Sequence, residues 1–364
     1  MKNCSCLILL FLLLAILPCA MPFCEKITFA EDGDIAEYVV YNQQGEEVAR
    51  KSEIEEGDVF ITSNFDEYEI YKVEGNCGYA RKKRDINPPK INRQFFPQKR
   101  GIERKSICMY MTHNDESYTP SDGYDSIYGA GGIHDVAREL QEEFNSRGIF
   151  SVLDETLHIP HNSSAYSRSS VTAKSLKENY SPDALFDIHR DGISKSYYYT
   201  NQNGLPLSKV RIVVGKSNPN FEENYQFAQK VFALGASMYP WLFLDVYCGG
   251  GHYNQSLKET NLLFEMGTYM IEKEYVFNTI PYLADVVETA LYNSVSNGDD
   301  EIIVDDEKSP ETEDIIIDEE NNENQSSEPP TKYSSTSNWV WAMIFSFAFV
   351  GTLVIAGVQL YKKS

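Results

Sequence analysis

His113 and Glu116 stand three residues apart, directly after the apolar run CMYM. An imidazole nitrogen and a carboxylate oxygen at this spacing are able to share one cation. Taken alone, His-Asn-Asp-Glu also describes a solvated polar loop, so the motif gains meaning only from what accompanies it. Two more chemically potent residues lie at comparable places. His189 closes the apolar run ALFDIH, and Glu265 lies within NLLFEMG. Zn2+ takes three protein ligands of the nitrogen or oxygen type, keeps a fourth place for water, and lowers that water's pKa to about 7. His113 and His189 are the two nitrogen ligands this chemistry would use, Glu116 is a third, and Glu265 is a carboxylate free to move protons.

These residues need a scaffold that brings them to one rim. From Ser106 to Ser294 the pattern alternates between strands and helices. ICMYM at 107–111 reads as a buried strand, and the helix over 133–148 carries Ile133, Val136, Leu140 and Phe144 on one stripe with Gly148 as its stop. SVLDE, DALFDIH, KVRIVVG, LFLDVYC and NLLFEMG read as further strands, with helices over SRSSVTAKSLKENY, NYQFAQKVFALGASMY and Glu272–Asn293. Such alternation predicts an α/β layered domain, its mostly parallel sheet flanked by helices. Function in such sheets collects at the carboxyl ends of strands, where His113, His189 and Glu265 fall. Residues 25–81 read instead as short strands with Gly45, Gly57 and Gly75 at the bends, a small β domain. Residues 82–105 continue a basic stretch broken by prolines, a linker.

The rest of the chain concerns charge and compartment. The formal net charge of -22 excludes a nucleic-acid binder, since a phosphate backbone needs clustered cations. Fourteen acidic residues against two lysines lie between Gly298 and Lys332, so 298–337 reads as an acidic disordered linker. Lys2 followed by an apolar stretch to Met21 predicts a signal peptide over 1–21. Trp339–Val358 carries no charge and is followed by Lys362 and Lys363, which predicts a transmembrane helix over 339–361 with its C-terminus in the cytoplasm. That places the 106–294 domain outside the cytoplasm on a membrane anchor. The cysteines form no Cys-x-x-Cys pair, so a cysteine zinc site is not expected.

In order along the chain, MYMTHNDESYTP, GGIHDVARELQEEFNSRGI, AYSRSSVTAKSL, FDIHRDGI and HYNQSLKETNLLFEMG resemble the sporulation stage II protein P family of endospore-forming bacteria. The resemblance covers about residues 106–292, and GDVFITSNFDEYEIYKVEGNCGYA resembles the β module that precedes the catalytic domain in some members. It implies a zinc-dependent N-acetylmuramoyl-L-alanine amidase, with endopeptidase activity as well, that trims septal peptidoglycan during engulfment. It also implies two partners, the stage II sporulation proteins D and M, and a location between mother cell and forespore.

Residue by residue, the resemblance carries the family's two histidines onto His113 and His189 and its catalytic glutamate onto Glu265. Arg190 and Asp191 complete the second motif as residues that orient ligands or substrate. Asn254 and Gln255 are candidates for the peptide groove or for a polar turn. Where members have two histidines flanking a threonine, this chain has Met111 at the first place. The third ligand has two claimants, Glu116 and His134, because related zinc amidases place a glutamate at the opening of the first helix and this chain has AGGIHD there. Two other functions share these features: a catalytically inactive wall-binding scaffold, and a zinc peptidase confined to stem peptides.

Overall fold

In the computed structural model, which describes residues 37–86 and 104–292, the strands are β1 (Tyr38–Tyr41), β2 (Glu47–Lys51), β3 (Val59–Ile61), β4 (Asp66–Glu74), β5 (Cys77–Asp85), β6 (Ser106–Tyr110), β7 (Phe150–Asp154), β8 (Ala184–Asp191), β9 (Tyr199–Gln202), β10 (Leu205–Ser208), β11 (Val210–Gly215), β12 (Phe243–Gly249) and β13 (Asn261–Thr268). The long helices are α1 (Ile133–Ser146), α2 (Ala165–Tyr180), α3 (Phe221–Met238) and α4 (Lys273–Tyr292). All strands but the β9–β10 hairpin join one sheet, in the order β2-β1-β5-β4-β3-β12-β11-β13-β8-β6-β7.

The expected alternation downstream of residue 106 is present, but the sheet is mixed rather than mostly parallel. β7, β6, β8 and β13 run parallel to one another, β11 and β12 run parallel to each other, and the two groups meet antiparallel at β11–β13. The physical reason lies in the connections. A parallel return needs a long crossover, usually a helix, and α3 supplies one between β11 and β12. No long helix separates β8 from β11, or β12 from β13, and at each of those two places the chain reverses direction. The β9–β10 hairpin that occupies the first gap turns on Asn203 and Gly204, both at positive φ, a pair suited to a two-residue turn.

Side chains alternate across the sheet, and the two parities have different fates. On one face Ile107, Met109, Phe186, Ile188, Ile212, Val214, Phe264 and Met266 pack with α1, α3 and α4 in the main core. Phe186 and Phe264 meet there edge to face with ring centroids 5.0 Å apart. The stripe read on α1 is buried as expected, together with Ala137. On the other face, Cys108, Tyr110 and Leu185 pack under Ala173 and Leu176 of α2, while Val213, Tyr247 and Leu263 pack with Val40, Phe60, Tyr68 and Ile70 of the N-terminal strands. This second face therefore has α2 over one part and β1–β5 over another. Between these two covers lies a polar strip.

The N-terminal strands reach that position by extending the sheet at its β12 edge, where β3 pairs antiparallel with β12, and then curling over. Register shifts between Glu67 and Tyr68 and between Ile70 and Lys72 in the β4–β5 pairing supply bends of the kind that bulges produce. β5 continues to Asp85, so Lys82, Lys83 and Arg84 at the start of the expected linker are strand. They pair across to β4, with Lys82 2.8 Å from Asp66 and Arg84 3.0 Å from Glu67.

Among the described residues no helix is long and apolar enough to cross a membrane. The expected transmembrane helix over 339–361, and the membrane-anchored, extracytoplasmic location that rested on it, are thus not found among the described residues. That segment, the 1–21 signal and the 298–337 acidic linker all lie outside the described residues.

Phe264→Ala removes a ring that is fully buried between the sheet and the helices. It should cost about 3–5 kcal/mol, read as a lower urea midpoint with an unchanged slope. A midpoint within error of the parent chain would contradict this core.

Candidate metal centre

β6 ends at Tyr110, and the chain then turns through Met111 and Thr112 into the polar loop that holds His113 and Glu116. The loop is fixed from two sides. The backbone N–H groups of Gly131 and Ile133, at the entry to α1, donate to the carbonyls of Asn114 and Glu116, both at 3.0 Å. A Cβ at Gly131 would lie 2.3 Å from the Glu116 carbonyl oxygen, so only glycine allows this approach. The glycine pair ahead of α1 thus seats the ligand loop. From the other side, the backbone N–H of Arg190 donates to Glu116 Oε2 at 2.9 Å.

Glu116 Oε1 faces both histidines, 3.2 Å from His113 Nδ1 and 3.5 Å from His189 Nδ1. The three side chains each offer a ligand atom, and these atoms lie within 4.8 Å of one another, so the cluster could coordinate a metal ion. Glu116 and His189 are buried, with His113 at the rim. His189 Nε2 points away, 3.0 Å from Asp187 Oδ1, close enough for an ion pair although not aligned as a hydrogen bond. Asp187 is itself held by the Thr112 backbone N–H at 2.8 Å and by the Thr112 hydroxyl at 2.6 Å. A carboxylate on the far nitrogen of a ligating histidine sets its tautomer and ring orientation.

The electrostatics support a cation. Burial would push the Glu116 carboxyl up, but His189, His113 and Arg190 outweigh it and hold it well below the usual carboxylate range. Burial would push His189 down, yet Asp187 and Glu116 hold it well above the ordinary imidazole range. His113, dominated by burial, is lowered despite Glu116. Two buried carboxylates around one imidazole create a demand for positive charge at this point, and a divalent ion on the three converging atoms would meet it.

Glu265 lies on β13 opposite His189 of β8 in the parallel register. It is 8 % exposed, and burial raises its pKa against the opposing pull of Lys51. Its Oε1 is 3.2 Å from Lys51 Nζ, while Oε2 is buried with no hydrogen-bond partner. Asp191, expected to orient ligands or substrate, accepts from Lys51 Nζ at 2.9 Å and from the Tyr198 hydroxyl at 2.8 Å, and pairs with Arg211. Burial opposes its ionisation, but Lys51 and Arg211 bring its pKa down to about 2. Arg190 sends its guanidinium to the carbonyls of Ser117 and Asp125, so it braces the ligand loop.

Other expected residues lie farther out. His134 sits in the first turn of α1 and bonds Glu155 at 2.9 Å, outside the cluster. Asn254 Nδ2 donates to Ser169 Oγ at 3.0 Å, and that hydroxyl is 2.7 Å from Thr112 Oγ1, which connects Asn254 by hydrogen bonds to Asp187. Gln255 is fully buried with its amide spent on the backbone of β11, accepting from Gly215 N–H and donating to the Val213 carbonyl.

Four contributors escaped the sequence reading. Asp187 carried a usable signal, since it precedes His189 by two residues and so shares its face of the strand. Arg211 stood out as a charge inside an apolar strand, KVRIVVG. Lys51 and His161, which stacks on His113 at 3.8 Å and pairs with Asp115 at 3.0 Å, had no local signature.

A family model described as Stage II sporulation protein P matches residues 16–288. The chain belongs to the Stage II sporulation protein P family. Stage II sporulation protein P of Bacillus subtilis (strain 168) is 30% identical over 195 residues, which take in 48% of this chain and 49% of that protein. The chain spans about half the length of the curated relative it matches. Among solved structures, the N-acetylmuramoyl-L-alanine amidase from Clostridium difficile 630 superposes with a TM-score of 0.32 at 15% identity, covering 52% of this chain and 97% of that one. The CwlD amidase from Clostridioides difficile, solved with the GerS lipoprotein, gives 0.35 at 11% identity, covering 52% and 96%. These superpositions are too distant to assign chemistry to any residue of this family member.

Asp187→Asn should keep the fold and weaken zinc binding by about 10–100-fold, because the His189 ring loses the negative charge beside its far nitrogen. Competition against a chromophoric chelator measures this directly. An unchanged affinity would mean that Asp187 does not support the centre.

Proposed function

We propose that this chain is a zinc-dependent peptidoglycan hydrolase, an N-acetylmuramoyl-L-alanine amidase that also cleaves within stem peptides, acting on septal wall during sporulation and engulfment. The observation that carries the reading is the convergence of His113, Glu116 and His189 on one point, with the unpartnered Glu265 carboxylate oxygen on the neighbouring strand. His113, Glu116 and His189 would hold the zinc. When bound there, zinc supplies a Lewis acid and makes water acidic enough to serve as a nucleophile near neutral pH.

The chain's own groups do the rest. Glu265 takes a proton from the attacking water as the new C–O bond forms, and returns a proton to the departing amine as the C–N bond breaks. A carboxyl whose pKa burial has raised is suited to both directions of transfer. Tyr166 stacks over His189 at 6.3 Å and meets His113 edge-on at 5.4 Å, forming a wall beside the centre. A cavity of about 370 Å3 opens along that wall, lined by Tyr166, Ser167, Ser170, Gly251, His252, Tyr253 and Asn254. Its hydroxyl groups, rings and imidazole suit a polar stretch of glycopeptide. The stage II sporulation proteins D and M, carried by the family resemblance, belong to the same proposal as partners.

Digests of purified wall analysed by mass spectrometry test the bond. Amide cleavage frees stem peptides with a new alanine amino terminus, whereas a pure stem-peptide peptidase leaves the lactyl amide intact. The purified chain should bind one zinc, and chelation should abolish digestion; full activity without metal would overturn the mechanism. His189→Ala should lose zinc and activity together, and His134→Ala should lose neither. Glu265→Gln should retain zinc while turnover falls roughly 10²–10⁴-fold. A Glu265→Gln chain that digests wall at the parental rate would remove Glu265 from the chemistry.

A further inference from the structure

Among the described residues, the one ionic partner of the Glu265 carboxylate comes from the N-terminal strands. Lys51 closes β2 and reaches across the polar strip, its Nζ 2.9 Å from Asp191 Oδ1 and 3.2 Å from Glu265 Oε1. Asp191 is already immobilised by the Tyr198 hydroxyl, by Arg211 and by the Gly192 backbone N–H. Of the two carboxylates that Lys51 touches, Glu265 is thus the one whose orientation depends on it.

The lysine is also held in place. Arg211, fully buried, donates to the Arg50 carbonyl at 2.6 Å, which pins the backbone one residue before Lys51 to the sheet below. Arg50 in turn lies 4.9 Å over the Tyr197 ring and pairs with Glu37, which accepts from the Ser194 hydroxyl. The second core, with Val40 and Phe60 against Val213 and Leu263, fixes the whole N-terminal unit over the strip. A long side chain so constrained is built into the site; it does not lie on a solvated edge.

We infer that Lys51 is a positioning residue of this site: it clamps Oε1 of Glu265 so that the unpartnered Oε2 is the oxygen presented for proton transfer, which makes the N-terminal β unit part of the active centre. The inference rests on the hydrolase reading for its functional consequence. The clamp itself is a structural statement that can be tested without turnover.

The experiment is a double-mutant cycle on the full chain with Lys51→Met, Glu265→Gln and the pair, read in two ways. In metal-free protein, Lys51→Met leaves the buried Glu265 without its counter-ion, next to an Asp191 that keeps Arg211, and should lower the melting midpoint, and the lowering should shrink in the Glu265→Gln background. In zinc-loaded protein, Lys51→Met should keep its zinc and its KM while kcat falls roughly 10–10²-fold through misplacement of the carboxylate, with little further loss once Glu265 is Gln. Lys51→Arg, which keeps the charge at a different reach, should give an intermediate kcat, and methylammonium should restore part of the activity of Lys51→Ala. If Lys51→Met does not fold, Lys51→Arg takes its place in both cycles, with smaller effects of the same sign. Additive melting shifts would overturn the clamp, as would parental kcat in Lys51→Met or an equal fractional loss with and without Glu265. A wild-type chain that digests no wall would sink the hydrolase reading instead, and the melting cycle would still decide the clamp.

Discussion

Among the described residues, the carboxylates of Glu116, Asp187, Asp191, Asp245 and Glu265 are buried along the polar strip, and the arrangement of the rest answers that constraint. An uncompensated buried charge costs several kcal/mol, so each needs a cation or a set of hydrogen-bond donors. Arg211 answers for two of them, with Asp245 2.6 Å from its Nε and Asp191 at its Nη1. Thr112 and the His189 ring answer for Asp187, and the two histidines with the Arg190 backbone N–H answer for Glu116. Glu265 receives only one side of a shared lysine. The least compensated carboxylate in the strip is the one proposed to change protonation state during turnover, and incomplete compensation is what allows it to do so.

The strip exists because the fold covers a two-faced sheet unequally. Strand alternation places Asp187, His189 and Asp191 on the same side as Glu265 and Arg211, while Ile188, Ile212, Phe264 and Met266 between them enter the main core. Helices α1, α3 and α4 pack over the first face. The second is closed in two pieces, by α2 and by the curled N-terminal strands, and at the strand ends these covers contribute Tyr166 beside His189 and Lys51 beside Glu265. A gap between two covers over a charged strip gives access to solvent and substrate without exposing the apolar parts of the same strands.

The sequence made the strands, their burial and most of the strip legible, because each rests on local period: two for strands, 3.6 for α1, and potent residues at strand ends. His113, Glu116, His189 and Glu265 were found that way, and the structure brings them together. What local period does not encode is order and direction in the sheet. The reversals at β11 and β13 follow from missing crossover helices, and GGGHYNQSLKET before β13 has no helical stripe, so that half of the mixed topology was readable in retrospect. Lys51 was not. A lysine ending a short strand among glutamates is by default a solvated residue, and its partners lie 140 and 214 positions away.

The dependence on those distant partners also explains why the N-terminal strands continue the sheet instead of forming a detached module. A lysine works as a clamp only if its backbone is placed to within a fraction of an ångström, since geometric errors of about 1 Å are enough to disable a site. A flexible tether between two domains would not give that placement. Pairing of β3 along β12 fixes the unit's register through Val59, Phe60 and Ile61, and also covers an edge that would otherwise offer unpaired backbone groups. The bends in β4 and β5 then set how far the unit curls, and Arg211 ties its far end back to the strand next to Glu265. Three attachments of different kinds, a backbone ladder, an apolar core and a buried guanidinium, converge on the position of one ammonium group.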